Sequence, residues 1–371
     1  MPVRVRGRSL SGIPISSDVR LVFVTQRVDP DDPILGATVA KITALARRFD
    51  EVVVLTDSAV PGTLPQNCRV RTFASGTRMG RGLRFGHAIV AELGRNPRPA
   101  VVLAHMCPIY AVLAAPLVRP FGVRVLLWYA QWHRTRMLAI AARMSTRVVS
   151  VDALSVPIRS AKVVGIGHGI DVAQFSCGGG TTLGPPYDLV ALGRYSDSKG
   201  LETIVRAVRL ARDDGVDVRL RCHGTSTTPG ERETLARLER LVGELGLGLG
   251  DAVLLGGPIP RGEVPVLLAR SWALVNNTRS GAPDKVVYEA CASCLPILVS
   301  SPPVGALVDD LEPHLRFAPD AAAALAAAIG DLARAGGDAR AALGATLRER
   351  VTAAHSTDSW ADAITRLALE D

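Results

Sequence analysis

Short apolar runs alternate along this chain with amphipathic segments of helical period, and that alternation sets the fold class. Residues 19–24 read as a buried strand; a loop rich in Pro and Asp follows, Gly36 opens an amphipathic helix over 37–49, and residues 51–56 form the next strand. Strand, loop with glycine, helix and strand make a βαβ unit, which predicts a parallel sheet. The pattern continues through a short strand at 70–73, a helix at 78–93, strands at 100–104 and 123–129, and a strand with a glycine turn at 161–171. A Gly/Pro-rich run at 177–186 is the best linker. Beyond it the alternation restarts, with strands at 187–192, 216–223, 252–255 and 273–276 and helices at 201–212, 232–244 and 261–270. Two α/β domains are expected, 1–175 and 185–354.

Hydrophobic residues make up 48% of the 371 and charged residues 21%, which suits two ordinary cores and argues against wholesale disorder. Residues 1–180 hold 23 Lys+Arg against 10 Asp+Glu, a net of +13, and residues 181–371 hold 20 against 25, a net of −5. Such asymmetry points the first half towards an anionic partner, either a membrane surface or a phosphorylated acceptor, with Arg-rich solubility as the plainer account. Nucleic acid fits poorly, because no recognition motif or aromatic series accompanies the charge. The helix at 78–93 carries Arg78, Arg81 and Arg84 beside Leu83 and Phe85, so it suits a lipid surface or a solvated helix face. Six scattered cysteines suit reduced, buried thiols. No signal-type apolar core and no run of roughly 18 apolar residues occurs, so a cytoplasmic protein, peripheral to a membrane at most, is expected.

The stretch with most chemical character is Gly281 to Ser300. A short helix opens at Asp284, and Glu289 lies in its otherwise apolar body. A buried carboxylate needs donors: a ribose diol is one such pair, and an internal salt bridge is the alternative. Lys199 sits at the start of another helix, where the dipole disfavours a cation unless an anion joins it; a diphosphate held by Arg194, Lys199 and helix amides removes the conflict. Asp284 and Lys285 repeat that pattern. His105 and the Gln131/His133 pair fall where parallel strands end, the edge at which open α/β sheets place ligands, although a lone His there also serves as a cap or packing residue. Asp29 and Asp31 form a D-x-D pair that suits a metal-nucleotide or, more plainly, an acidic turn.

Gly193-Arg194 with Lys199-Gly200, His105-Met106 with Pro108, Leu127-Trp128-Tyr129, Gly167-His168-Gly169-Ile170-Asp171 and Asp284-Lys285 with Glu289-Ala290 together resemble the GT-B-fold retaining glycosyltransferases of family 4. The resemblance covers nearly the whole chain. It implies two Rossmann-like domains facing across a cleft, the second holding a nucleotide-diphospho-sugar and the first an acceptor, with the last helix, 355–371, crossing back onto the first domain. By position, Arg194 and Lys199 look like the diphosphate-binding pair and Glu289 like the ribose-binding glutamate. Gly257 and Pro258 match the segment that holds the base, and Gly36 the glycine that approaches the phosphates. Neither metal nor other cofactor is implied, since Arg and Lys stabilise the leaving group.

Two positions depart from that family. Gly281 stands where a glutamate often stands eight residues before Glu289, with Asp284 and Lys285 as its possible replacement. Gln131 stands where a histidine usually touches the transferred sugar; it can hydrogen-bond but cannot titrate. The expectation is a retaining transfer of a hexose from a UDP- or GDP-sugar to a sugar or lipid-linked acceptor, with Arg194, Lys199, Gln131 and His105 at the reaction centre. A catalytically weak or inactive sugar-nucleotide-binding protein, or a nucleotide-sugar 2-epimerase, are the alternatives.

Overall fold

The structure is a computed structural model that describes residues 19–32, 35–178, 184–279, 281 and 283–370. Seven strands form the first sheet: β1 (Arg20–Val24), β2 (Glu51–Thr56), β3 (Cys68–Thr72), β4 (Pro99–His105), β5 (Arg124–Trp128), β6 (Arg147–Ser150) and β7 (Val163–Gly165). Their order is β3-β2-β1-β4-β5-β6-β7, with every pair parallel. In β1 the side chains alternate between two cores. Leu21 and Phe23 pack with Ile42 and Leu45 of α1 (Ala37–Ala46), while Val22 and Val24 pack with residues of α2 (Arg78–Leu93), α3 (Pro108–Val118) and α4 (Arg136–Met144). Both faces are covered, which is why the strand reads as a continuous apolar run.

The second sheet has five parallel strands: β8 (Tyr187–Leu192), β9 (Val218–His223), β10 (Val253–Gly256), β11 (Ala273–Asn276) and β12 (Ile297–Val299), in the order β10-β9-β8-β11-β12. Its helices include α5 (Leu201–Asp213), α6 (Pro229–Glu244), α7 (Val264–Arg270) and α8 (Lys285–Ala292). Then α9 (Ala322–His355), interrupted by non-helical backbone at Gly336, leads into α10 (Thr357–Leu369). That last helix returns to the first domain, where Trp360 packs edge-on against Trp128 with ring centroids 5.6 Å apart. The outgoing and returning chains touch: Ile170 N donates to His355 O at 2.7 Å, and Thr357 N donates to Ile170 O at 2.8 Å.

Each sheet reverses its strand order beside its first strand, between β1 and β4 and between β8 and β11. Parallel sheets leave a crevice at such a point, at the carboxyl ends of the strands. The loops that leave β1, β8 and β11 carry Asp29, Asp31, Arg194, Lys199 and Asp284, His105 ends β4, and Gln131 and His133 follow the neighbouring β5.

Three expectations change. Several of the basic residues of the first half are internal: Glu92, wholly buried, meets Arg20, Arg69 and Arg71. The first helix ends at Ala46 rather than Phe49. The reading of six reduced thiols is corrected at one pair, because Cys177 and Cys294 form a disulfide with Cα atoms 4.9 Å apart, while Cys68, Cys107, Cys222 and Cys291 are free. The paired residues lie 117 positions apart, and spacing alone cannot show such a contact.

Candidate active site

The two switch points open on one cleft of about 680 Å³. From the second domain it is lined by Gly193, Arg194, Ser198, Lys199, Thr278, Asp284 and Lys285. The first domain contributes Lys41, His105, Gln131, Trp132 and His133, and the turn between the domains adds His168. A smaller cavity of about 240 Å³ has Gly36, Arg261 and Lys285 in its walls, so Lys285 is common to both. Gly36 is required there by close approach: a Cβ would stand 2.5 Å from the Pro30 carbonyl oxygen. Gly257 and Pro258 are exposed past the end of β10 and line neither cavity.

Lys199 is held across the mouth of β8. Its Nζ donates to Asp284 Oδ2, which also accepts from Asn276 at 2.7 Å and Thr278 Oγ1 at 2.5 Å. The cation expected to need an anionic ligand is thus met by Asp284, the N-cap residue of α8. Burial pushes the Asp284 carboxyl up, and Lys199 with the Thr278 and Asn276 hydrogen bonds outweighs it, leaving the pKa below the usual range. Arg194 reaches Glu231 at 3.3 Å but is largely exposed. Glu231 in turn closes the capping box of α6, accepting from the Thr228 amide. This pair is therefore a surface contact on a guanidinium free to turn into the cleft.

Glu289 is 3% exposed. Its Oε1 meets Arg261 Nη1 at 2.7 Å and Lys285 Nζ at 2.8 Å. Burial raises this carboxyl, and Lys285 and Arg261 together bring it below its ordinary value. The internal salt bridge weighed from the sequence is therefore present. It holds Lys285 on the wall shared by the two cavities and Arg261 on that of the smaller one, while Glu289 itself lines neither.

On the opposing wall, His105 is 4% exposed, stacked between Phe23 and Trp128, and neither ring nitrogen has a hydrogen-bond partner. Burial, then the neighbouring Lys41, holds its pKa well below the usual value, so the ring is neutral. Gln131 and His133 are exposed at the cleft edge, and the His133 carbonyl accepts from Tyr129 Oη at 3.0 Å. Gly281 lies against the first domain: a Cβ there would stand 3.0 Å from three carbons of the Trp132 ring. The glutamate that the family often carries at this position would have to displace that indole. Gly281 and Trp132 are a matched pair, and Asp284 is already committed to Lys199.

Among the described residues there is no group of three or more His, Cys, Asp or Glu side chains placed to hold a metal. Asp32 of the acidic loop caps locally, accepting from the Leu35 amide at 2.7 Å. Sequence reasoning missed Lys41, Arg261 and Trp132. A signal existed for Lys41, which occupies an inward position of α1 with Thr38, Ile42 and Leu45.

The same architecture recurs in solved structures. Sucrose-phosphate synthase from Thermosynechococcus elongatus superposes with a TM-score of 0.70 at 19% identity, covering 94% of this chain and 98% of that one. A glycosyltransferase from Rickettsia africae gives 0.71 at 14%, covering 96% and 100%. HepE of Anabaena, solved with UDP and glucose, gives 0.70 at 15%, covering 95% and 100%. No curated protein matches by sequence. The fold is GT-B, two Rossmann-like domains facing across a cleft. Within it, residues 186–335 match the model of the glycosyl transferases group 1 family.

Proposed function

We propose that the protein is a retaining glycosyltransferase that moves a hexose from a UDP- or GDP-sugar to an acceptor bound by the first domain. The observation that carries this reading is the convergence of Arg194, Lys199 and Lys285 on one cleft, opposite His105 and Gln131. The UDP and glucose bound by the Anabaena relative support a uridine donor. In the proposed reaction the acceptor oxygen attacks the anomeric carbon from the face that the diphosphate leaves. The C–O bond to the phosphate breaks, Arg194 and Lys199 take up the charge of the departing nucleoside diphosphate, and a phosphate oxygen takes the acceptor proton. These side chains do the work without a metal. Gln131 orients a sugar hydroxyl, and neutral His105 offers a hydrogen bond.

A lipid-linked or otherwise anionic acceptor suits the first domain's surface. There α2 and α4 expose Met79, Leu83, Met137 and Ile140 among Arg78, Arg84, Arg134, Arg136 and Arg143. No helix among the described residues is long and apolar enough to cross a membrane. The Trp132–Gly281 pair favours a second reading, a sugar-nucleotide-binding protein without transferase activity, because it alters the donor-sugar end of the cleft. Thermal shift against UDP, GDP and their sugars, followed by NMR of the product's anomeric configuration, tests both. An axial donor should give an axial product. Donor binding with no transfer or hydrolysis selects the second reading, an inverted product refutes retention, and no binding refutes the donor site.

A further inference from the structure

The chain has only four lysines among its 43 basic residues, Lys41, Lys162, Lys199 and Lys285, and three of them line the same cleft. Where a compact, strongly hydrated ammonium is kept in an Arg-rich chain, a point contact to an anion is the use that distinguishes it. Lys199 and Lys285 have carboxylate partners. Among the described residues, Lys41 is the one Lys or Arg lining this cleft that makes no ion pair and no hydrogen bond.

Lys41 is 4% exposed, and its surroundings are built around it. Its Nζ lies 4.2 Å from the Trp128 ring centroid and 5.0 Å from that of Trp360. Gly169, at φ +75°, removes the side chain that would otherwise collide: a Cβ there would stand 2.6 Å from Lys41 Cε. Aromatic faces steady a cation but return only part of the hydration it gives up. Lys285 adds like charge from across the cleft, and both nitrogens of His105 are unpartnered beside it. A buried ammonium facing a second ammonium, with no carboxylate partner among the described residues, is a conflict that a bound anion resolves.

We propose that Lys41 is an anion-binding residue that takes a phosphoryl oxygen from the first-domain side of the cleft. The inference rests on the nucleotide-sugar reading only in part, because the phosphoryl group has two possible sources: the donor's diphosphate, or a phosphate on the acceptor. Lys41 then bridges the two domains through the ligand, completing a cradle whose other cations come from the second domain.

Full-length wild type and Lys41→Met are compared by calorimetry and thermal shift with UDP, GDP and inorganic pyrophosphate, and with glucose 6-phosphate added to protein saturated with the nucleotide. Met keeps the volume and removes the desolvated charge, so Tm without ligand is expected to stay level or rise. If the donor is the source, affinity for the nucleoside diphosphate and pyrophosphate falls at least about tenfold. If the acceptor is the source, those affinities hold and the glucose 6-phosphate shift is lost. Lys41→Met behaving as wild type with every probe overturns the proposal while leaving the donor reading intact. Wild type that binds pyrophosphate but neither nucleotide sinks the donor reading and still tests Lys41. Wild type that binds none of the four sinks both. Should Lys41→Met and Lys41→Leu both lower Tm without ligand, the lysine is structural and the proposal falls.

Discussion

At the scale of single residues, three of the four cations lining the cleft are paired with carboxylates, Arg194 with Glu231, Lys199 with Asp284 and Lys285 with Glu289. Lys199 is the clearest case, held by Asp284 in the cleft where the proposed reaction has it meet the departing diphosphate. Lys199→Ala is expected to lower turnover by roughly 10²–10³, by analogy with loss of a single oxyanion donor, with the fold retained in circular dichroism. Gly281→Glu is expected to reduce both donor affinity and Tm, because its side chain must displace the Trp132 ring. Adding Trp132→Ala should recover much of the loss, and a double-mutant cycle measures the coupling. Lys199, Asp284 and Glu289 were legible in the sequence because each is a charge set against a helix start or an apolar helix face. Arg261, Trp132 and the Cys177–Cys294 pair were not, since their partners are brought near only by the folded sheets.

At the scale of elements, period alone placed most strands and helices to within a few residues, but it missed β6 and the helices α3 and α4. Buried strands read as unbroken apolar runs because helices cover both of their faces. The junction of α9 and α10 could not be read this way, since its meaning lies in what it crosses. Trp360 is wholly buried against Trp128, so Trp360→Ala should cost about 3–5 kcal/mol in chemical denaturation. His355 ends α9, packed 4.4 Å from the Tyr288 ring, and burial lowers its pKa to about 4. The unfolded chain therefore binds this proton first as pH falls. Stability should be fully present above about pH 6.5 and decline towards pH 4, by up to about 3 kcal/mol from this residue. Thermal melts across that range should show the decline, and His355→Phe should flatten it.

At the scale of the whole molecule, charge divides by domain. Arg20 is buried against Glu92 and takes no part in the surface charge, while the arginines exposed on α2 and α4 face solvent. Binding to anionic vesicles should therefore weaken as salt rises from about 0.05 to 0.5 M, with binding to neutral vesicles weak throughout. Met79→Ser with Leu83→Ser should reduce it further, as read by co-sedimentation.

The chain passes between the two domains once on the way out and once on the way back, and both passages are laced together where Ile170 meets His355 and Thr357. A body attached to another along a single seam swings about that seam and resists twisting across it. Lys41 and Lys285, on opposite leaves, must then draw together or apart on every swing. On the proposal above, an anion bound between them would offset their mutual repulsion as the leaves close.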